Sequence, residues 1–437
     1  MTHESFDVIV AGAGAAGLFA AFTAAERGLK VILLEKNRRP GVKILMSGGT
    51  RCNLTNARGL RRLEAVTGPT DPAISPAICQ GVRAIQAAFS PEAGRFLGPS
   101  LKAFDVDQTI GWFESAGLRT KIEANGKIFP ASDRATDVLN VLLRATEKAG
   151  VRLLTNHPVL SIDRSVSHDG FVVKTPTDSF IARQVILATG GKSFPGSGTT
   201  GDGYGMAAAF GHSIVPTRPA LVPVRVQANW VNELKGLTLP DVVVKVMDAE
   251  KMLVDQRREA VLFAHFGLTG PAILDVSRLP ARAAELAGWS LELDLVPDRR
   301  PEQVEEEMIA RSRQGRMGVG RLLPEELPAR LRDHLLESAA IPHGMVAAEL
   351  SKEKRRALLA ALKGLKMPLA GTLGFEKAEV TSGGVALAEV DPKTLESRFC
   401  PGLQLIGEVL DIDGRIGGYN FQAAWSMGRM AGMVIKR

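Results

Sequence analysis

The chain has 437 residues, room for about three structural units at roughly 150 residues each. Hydrophobic residues make up 45% of it and charged residues 23%, a balance that excludes disordered and fibrous classes. The formal charge of +7 permits an anionic partner without requiring one, and the excess lies in residues 1–196, which carry 24 Lys and Arg against 17 Asp and Glu.

In chain order, FDVIVA (6–11) is a short β-branched run suited to a buried parallel strand. GAGAAG follows, then a helical stretch that ends at Gly28, then a second strand, KVILLE (30–35). This is a βαβ unit with Gly12, Gly14 and Gly17 in G-x-G-x-x-G spacing and an acid, Glu35, at the end of the second strand. Gly12 makes the tight turn, Gly14 lets backbone approach a pyrophosphate, and Gly17 lets the helix pack close to the strand. The helix start offers free N–H groups to phosphates, and Glu35 is placed to accept from a ribose. Dinucleotide binding follows from the whole arrangement, since glycines alone would mark only a turn.

Further on, helices are expected at 80–98 and 107–116, and a third from about Ser132 or Asp133 to Gly150. The segments from 151 to 191 are short strands joined by turns, ending in an apolar strand and ATGG. From 197 to 378 the texture changes. A β-rich part (215–300) precedes helical runs near 301–314, 325–338 and 345–363, punctuated by prolines. After 379 the chain is again strand-like and glycine-rich, and its last 59 residues are too few for a domain alone. The texture therefore points to an α/β chain, a discontinuous dinucleotide-binding domain (1–196 and 379–437) with an inserted β-plus-helical domain (197–378).

Cys52, Cys79 and Cys400 are scattered and show no C-x-x-C spacing, which argues against a disulfide scaffold or a cysteine zinc site. The histidines show no ligand spacing, so no metal is expected. No signal peptide and no uncharged apolar run of about 18 residues is visible, so a cytoplasmic chain that does not span a membrane is expected.

The motifs KILMSGGTRCNLTN, ILATGGKSFPGSGTTGDGYG, LFAHFGLTGPAIL and TSGGVAL…GEVLDIDGRIGGYNFQAA, together with GAGAAG…E, resemble the bacterial flavoproteins grouped as the aminoacetone-oxidase family of NAD(P)/FAD-dependent oxidoreductases, and more distantly the fumarate reductase flavoprotein fold. The resemblance implies an α/β fold in which a discontinuous Rossmann-like FAD/NAD(P)-binding domain (1–196 and 379–437) is interrupted by an inserted β-barrel-plus-helical domain (197–378), with the flavin ring at their junction. It places Gly12, Gly14, Ala15, Ala16 and Gly17 on the pyrophosphate, Glu35 on the ribose and Lys36 near the adenosine end. Lys43, Ser47, Gly48 and Gly49 would pass the ribityl chain and the flavin N5 edge, and Val159 would touch adenine through its backbone. Thr189 and Gly190 would stand beside the cofactor, Glu408 would bond a ribityl hydroxyl, and Gly418, Tyr419, Asn420 and Phe421 would open a helix toward the anionic edge of the reduced ring. The sequence departs from the family pattern at Thr50, where glycine is usual, and at Ala264, where threonine is usual.

Flavin supplies the hydride chemistry, so the protein has to supply position, a proton and electrostatics. Cys52, flanked by Arg51, Arg58, Arg61 and Arg62, is one candidate acid, because an electropositive setting lowers a thiol pKa. His265 in LFAHFG is another. Arg134 is a candidate clamp for an anionic substrate. No second dinucleotide fingerprint is present, so NADH or NADPH would act as a transient donor. Three readings stay open: a reductase of an activated double bond, of which uridine in ribosomal RNA is one implied substrate; an oxidase of a small amine or aminoketone that makes peroxide; and a non-catalytic flavoprotein. Residues 27–62 hold ten basic residues against Glu35 alone, which suits RNA phosphates but also the FAD pyrophosphate or a solvated face.

Overall fold

Strand β1 (Ser5–Ala11) is buried along Val8–Ala11 because it lies inside a sheet covered on both faces, which is why it reads as an unbroken apolar run. The computed structural model describes residues 4–165, 169–283, 285–313 and 315–436. They divide into two units, Met1–Pro219 with Glu379–Arg437, and Ala220–Ala378.

In the first unit β1 pairs in parallel with β2 (Val31–Leu34) on one side and with the strand Ser179–Leu187 on the other. Arg152–Leu154 extends the sheet beyond β2. The strand Ser179–Leu187 serves two neighbours: its first half takes the antiparallel strand Phe171–Lys174, and its second half takes the parallel strand Leu403–Leu405. Ser161–Arg164 closes the expected meander. Thus the late segment 403–405 completes a sheet begun at residue 5, as the short glycine-rich tail requires.

Helix α1 (Ala15–Glu26) is buried over most of its length, and the last helix, Tyr419–Val434, lies on it. The two backbones meet through small residues. A Cβ at Gly428 would stand 2.4 Å from Ala16 O, and one at Gly432 would stand 2.7 Å from Ala20 O. Around this crossing Phe19, Phe22, Trp112, Phe113 and Trp425 form an aromatic cluster, and the Trp425 indole N–H donates to Leu54 O at 3.0 Å. Gln422 is fully buried yet satisfied. It accepts from Thr55 Oγ1 at 2.7 Å and donates to Thr109 Oγ1 at 2.8 Å.

The second unit is a closed six-stranded barrel with helices inserted before its last strand in the chain. Its strands run in the order Val224–Val226, Gly267–Thr269, Leu253–Ala264, Thr238–Met247, Ser290–Asp294 and Leu365–Thr372, with the last pairing back to the first. Closure removes exposed sheet edges. The helices are Pro301–Ser312, Ala329–Ser338 and Lys352–Lys363.

Two expectations are corrected. The first unit continues past residue 196 to Pro219, because the helix Asp202–Ala209 and the strand Ile214–Ala220 belong with it, the strand pairing with Val380–Val385. The single helix expected at 80–98 is two, Val82–Gln86 and Pro91–Ala103. Pro91 is fixed for a first-turn position, and the Ser90 hydroxyl accepts from Ala93 N–H to cap the new start.

The helix crossing yields a direct expectation. Gly428→Ala pushes a methyl into the Ala16 carbonyl, and overpacking of that kind costs about 1–3 kcal/mol. The urea midpoint of the protein falls accordingly, whereas Gly205→Ala, which adds a methyl with nothing within 4 Å, leaves it in place.

Candidate functional site

Three glycines at the start of α1 have different reasons to be glycine. Gly12 has φ +106°, and a Cβ there would lie 2.5 Å from Ala188 O. A Cβ on Gly17 would lie 1.9 Å from Gly12 O. Both are demanded by the packing of the chain on itself. At Gly14 a Cβ would meet nothing of the protein within 4 Å, so its smallness keeps space for something outside the chain. Helix α1 starts there with no side-chain cap and no acid in its first turn, which leaves Ala15, Ala16 and Gly17 at an uncapped, positive helix end.

The Glu35 carboxylate is held beside this turn, with Oε2 accepting from Ala13 N–H at 3.0 Å and Oε1 from Asn37 N–H at 2.9 Å. Two backbone donors fix its direction and leave lone pairs for hydroxyl donors. Its own carbonyl accepts from His157 N–H, which brings the segment with the partly buried Val159 to the same end of the sheet. Lys36 does not stand free. Its ammonium donates to Thr200 Oγ1 and Asp202 Oδ2, each at 2.6 Å, and so ties β2 to the GDG turn.

A second cluster joins four distant segments. Lys43 Nζ donates to Glu408 Oε2 at 2.5 Å and to Ser193 Oγ at 2.7 Å. Glu408 Oε1 accepts from Ser193 Oγ at 2.8 Å and from Thr381 N–H at 2.7 Å. A Cβ on Gly191 would come within 2.4 Å of Thr381 Oγ1 and 3.0 Å of Glu408 Oε1, so the second glycine of ATGG makes this network possible. Ser193, Gly191 and Thr381 were not singled out in the sequence, although each stands inside a quoted motif. Thr189, one strand end away, has a buried hydroxyl with no hydrogen-bond partner, and Gly190 beside it has φ +75°. An orphaned hydroxyl among backbone turns suits a ligand oxygen.

The flavin-facing turn of the resemblance is a helix that breaks. Helix α2 (Val42–Thr50) loses helical geometry at Ser47, where ψ is 150°, and Gly48 and Gly49 turn left-handed at φ +56° and +66°. Thr50 follows at φ +69°, a strained setting for a β-branched residue and the reason glycine suits that position. Gly48, Gly49 and Thr50 are exposed. The last helix also starts uncapped, at Gly418 with φ +90°, where a Cβ would stand 2.6 Å from the Thr55 backbone.

Several side chains expected at the site have other work. Cys52 is fully buried, and burial pushes its thiol up to about 12, against a weaker lowering by Ser47. The flanking arginines do not face it. Arg51 pairs with Glu123 and Asp133 and lies over the Phe129 ring, Arg61 pairs with Asp105, and Arg58 and Arg62 are exposed. Cys52 is therefore a protonated core residue, and the expectation of an activated thiol is corrected. Arg134 pairs with Asp137 one helical turn on, as an exposed first-turn residue rather than a clamp. Asn420 holds the preceding loop, accepting from Gly414 N–H and donating to Gly414 O, and Phe421 stacks on Trp425. Tyr419 is buried. His265 belongs to the second unit, exposed at the two-residue turn between Ala264 and Gly267, with its ring edge-on to Phe266.

The space at Gly14, two uncapped helix starts, the orphaned Thr189 hydroxyl and the left-handed turn fit a flavin dinucleotide. A model of the HI0933-like protein Rossmann domain matches residues 6–73 and 82–434. The chain belongs to this family. It is 33% identical over 426 residues to the ribosomal RNA dihydrouridine synthase of Escherichia coli K12, with 97% of this chain and 96% of the relative covered. It is also 32% identical over 427 residues to the 3-dehydro-bile acid delta(4,6)-reductase of Clostridium scindens, with 97% of each covered. In fold it is similar to the 3-ketosteroid-delta4-(5alpha)-dehydrogenase of Rhodococcus jostii RHA1, with a TM-score of 0.54 and 17% identity over 99% of this chain and 97% of that one. The family member described here is an FAD-dependent oxidoreductase built on the FAD-binding Rossmann-like fold. Among the described residues, no helix is long and apolar enough to cross a membrane, and no group of three or more His, Cys, Asp or Glu is placed to hold a metal ion.

Glu35→Ala removes the carboxylate fixed by Ala13 and Asn37, so the purified variant carries less flavin per chain than the wild type, read from the ratio of visible to protein absorbance. Cys52 gives a pH signature. The unfolded thiol ionises near its ordinary 9.0 and the folded one only at about 12. The unfolded state therefore loses its proton first, and stability falls as pH rises above about 9. Urea midpoints measured at pH 8 and pH 10 drop more for the wild type than for Cys52→Ala.

Proposed function

We propose that the chain reduces the ring double bond of a uridine in ribosomal RNA, giving dihydrouridine, with NADH or NADPH as the reductant. What supports this most is the end-to-end likeness to the Escherichia coli relative named for that product. The second relative is named a reductase, which points the same way for the reaction class. The exposed Gly48–Thr50 turn adds to it, because a flavin edge beside exposed backbone accommodates a base carried on a large polymer. FAD, when bound, supplies hydride transfer through N5. In this reading the uracil ring gains a hydride at one carbon of its double bond and a proton at the other.

The chain's part is placement. Gly12, Gly14 and Gly17 with the start of α1 hold the pyrophosphate, Glu35 the ribose, and the Lys43–Glu408 pair the ribityl side. The Thr189 hydroxyl would be free to bond the cofactor, and the positive start of the last helix would favour negative charge on the flavin. With Cys52 buried and protonated, His265 is the remaining candidate for the proton. Of the ten basic residues in 27–62, Lys30, Lys36, Lys43, Arg51 and Arg61 are paired within the chain, and Arg27 donates to Gly432 O and Ile435 O. Among the described residues, Arg38, Arg39, Arg58 and Arg62 are the ones left to meet phosphates, so this stretch offers less to RNA than its charge suggests.

The test is a deletion strain whose ribosomal RNA is analysed by mass spectrometry. One dihydrouridine disappears, wild-type chain restores it, and His265→Asn restores it far more slowly. A strain that keeps every dihydrouridine overturns the reading. Rapid peroxide formation from a small amine by the purified protein indicates the oxidase instead.

A further inference from the structure

The helical part of the second unit carries a basic group that the near-zero charge of the insert hides. Between Met308 and Pro324 the chain has Arg311, Arg313, Arg316 and Arg321 and no acid. Among the described residues, none of the four forms an ion pair. Arg321 lies in a short 3₁₀ turn, Val319–Leu322, just after Gly318. Gly318, Gly320 and Arg321 line one side of an open cavity of about 270 Å³, and Ala329, Arg332 and Asp333 from the start of the helix Ala329–Ser338 line the other.

Three observations give this cavity a chemistry. Arg332 is half-buried in the lining, and among the described residues its guanidinium, buried Nε included, has no hydrogen-bond or ion-pair partner, so its charge is left for a ligand in the cavity to meet. A second guanidinium, Arg321, shares the cavity. A Cβ at Gly318 would meet nothing within 4 Å, so packing does not require glycine there and the wall of the cavity is left open beside it. Asp333 is the acid of the lining, and its carboxylate is turned to His343 Nδ1 at 3.5 Å. Two planar guanidinium forks in one cavity match the oxygens of a phosphate ester.

We propose that this cavity is a phosphate site that grips a backbone phosphate of the RNA substrate. The proposal rests on the RNA reading above. The same phosphate chemistry is present in NADPH, and the experiment separates the two sources. Arg321→Gln removes an exposed charge that folding does not need, and Arg332→Gln removes the buried donor. Binding of a ribosomal RNA fragment is measured against salt concentration for the wild type and both variants, alongside flavin content and the rate of flavin reduction by NADH and NADPH. Each variant weakens RNA binding about tenfold and makes the salt dependence shallower by about one unit of slope, with flavin content and reduction rates unchanged. Asp333→Asn, which removes the like charge, tightens RNA binding.

Unchanged RNA affinity in both arginine variants overturns the proposal, as does slower reduction by NADPH alone. A titration with inorganic pyrophosphate keeps the cavity separate from the RNA reading. If the wild type binds no RNA yet is stabilised by pyrophosphate, and Arg321→Gln abolishes that stabilisation, the phosphate chemistry stands and the RNA occupant falls.

Discussion

Two helices can lie backbone against backbone only where neither presents a side chain larger than a methyl group. Ala16 and Ala20 on α1 and Gly428 and Gly432 on the last helix meet that condition, and much of the first unit follows from it. Their contact sets the direction of α1, and hence where its uncapped start points relative to the Gly12 turn. It also sets the last helix, whose start rests on the Thr55 backbone and whose Gln422 and Trp425 anchor the segment after Cys52. The two helix starts offered to a dinucleotide are thus not independent features. One close contact aims both.

Much of the positive charge of residues 27–62 is engaged within the chain. The most basic stretch of the sequence ties β2 to the GDG turn through Lys36, α2 to the 408 turn through Lys43, and the broken helix end to Asp133 through Arg51. These partly shielded pairs position loops more than they stabilise the fold, since exposed ion pairs are each worth about 0–1 kcal/mol. The insert, with nearly equal numbers of acids and bases, keeps a run of arginines that form no ion pair among the described residues. Where charge is available to a partner is a question of pairing geometry rather than of composition.

What the sequence made legible was backbone demand. Gly12 and Gly17 could be read because their positions are forced by sterics, and the split domain because the change of strand texture and the short tail left few arrangements. Side-chain direction was not legible. Cys52 sits among arginines along the chain, but the left-handed turn before it sends the thiol into the core and Arg51 out to Glu123. Asn420 and Phe421 stand at a ligand-facing helix start, yet one folds back on Gly414 and the other onto Trp425. The Ser193–Glu408 contact unites segments 215 residues apart, and no local pattern reports such a meeting.

The strand Leu403–Leu405 and the helix Tyr419–Val434 are translated only after the whole insert. Until then α1 has emerged without the surface that buries it, and the sheet lacks one of its parallel neighbours. During synthesis the barrel closes from consecutive residues while the nucleotide fold still waits for its final pieces, since chains fold domain by domain as they emerge. A nascent chain stalled before residue 403 therefore exposes the apolar face of α1, making that interval the stretch of synthesis in which the protein depends most on chaperones.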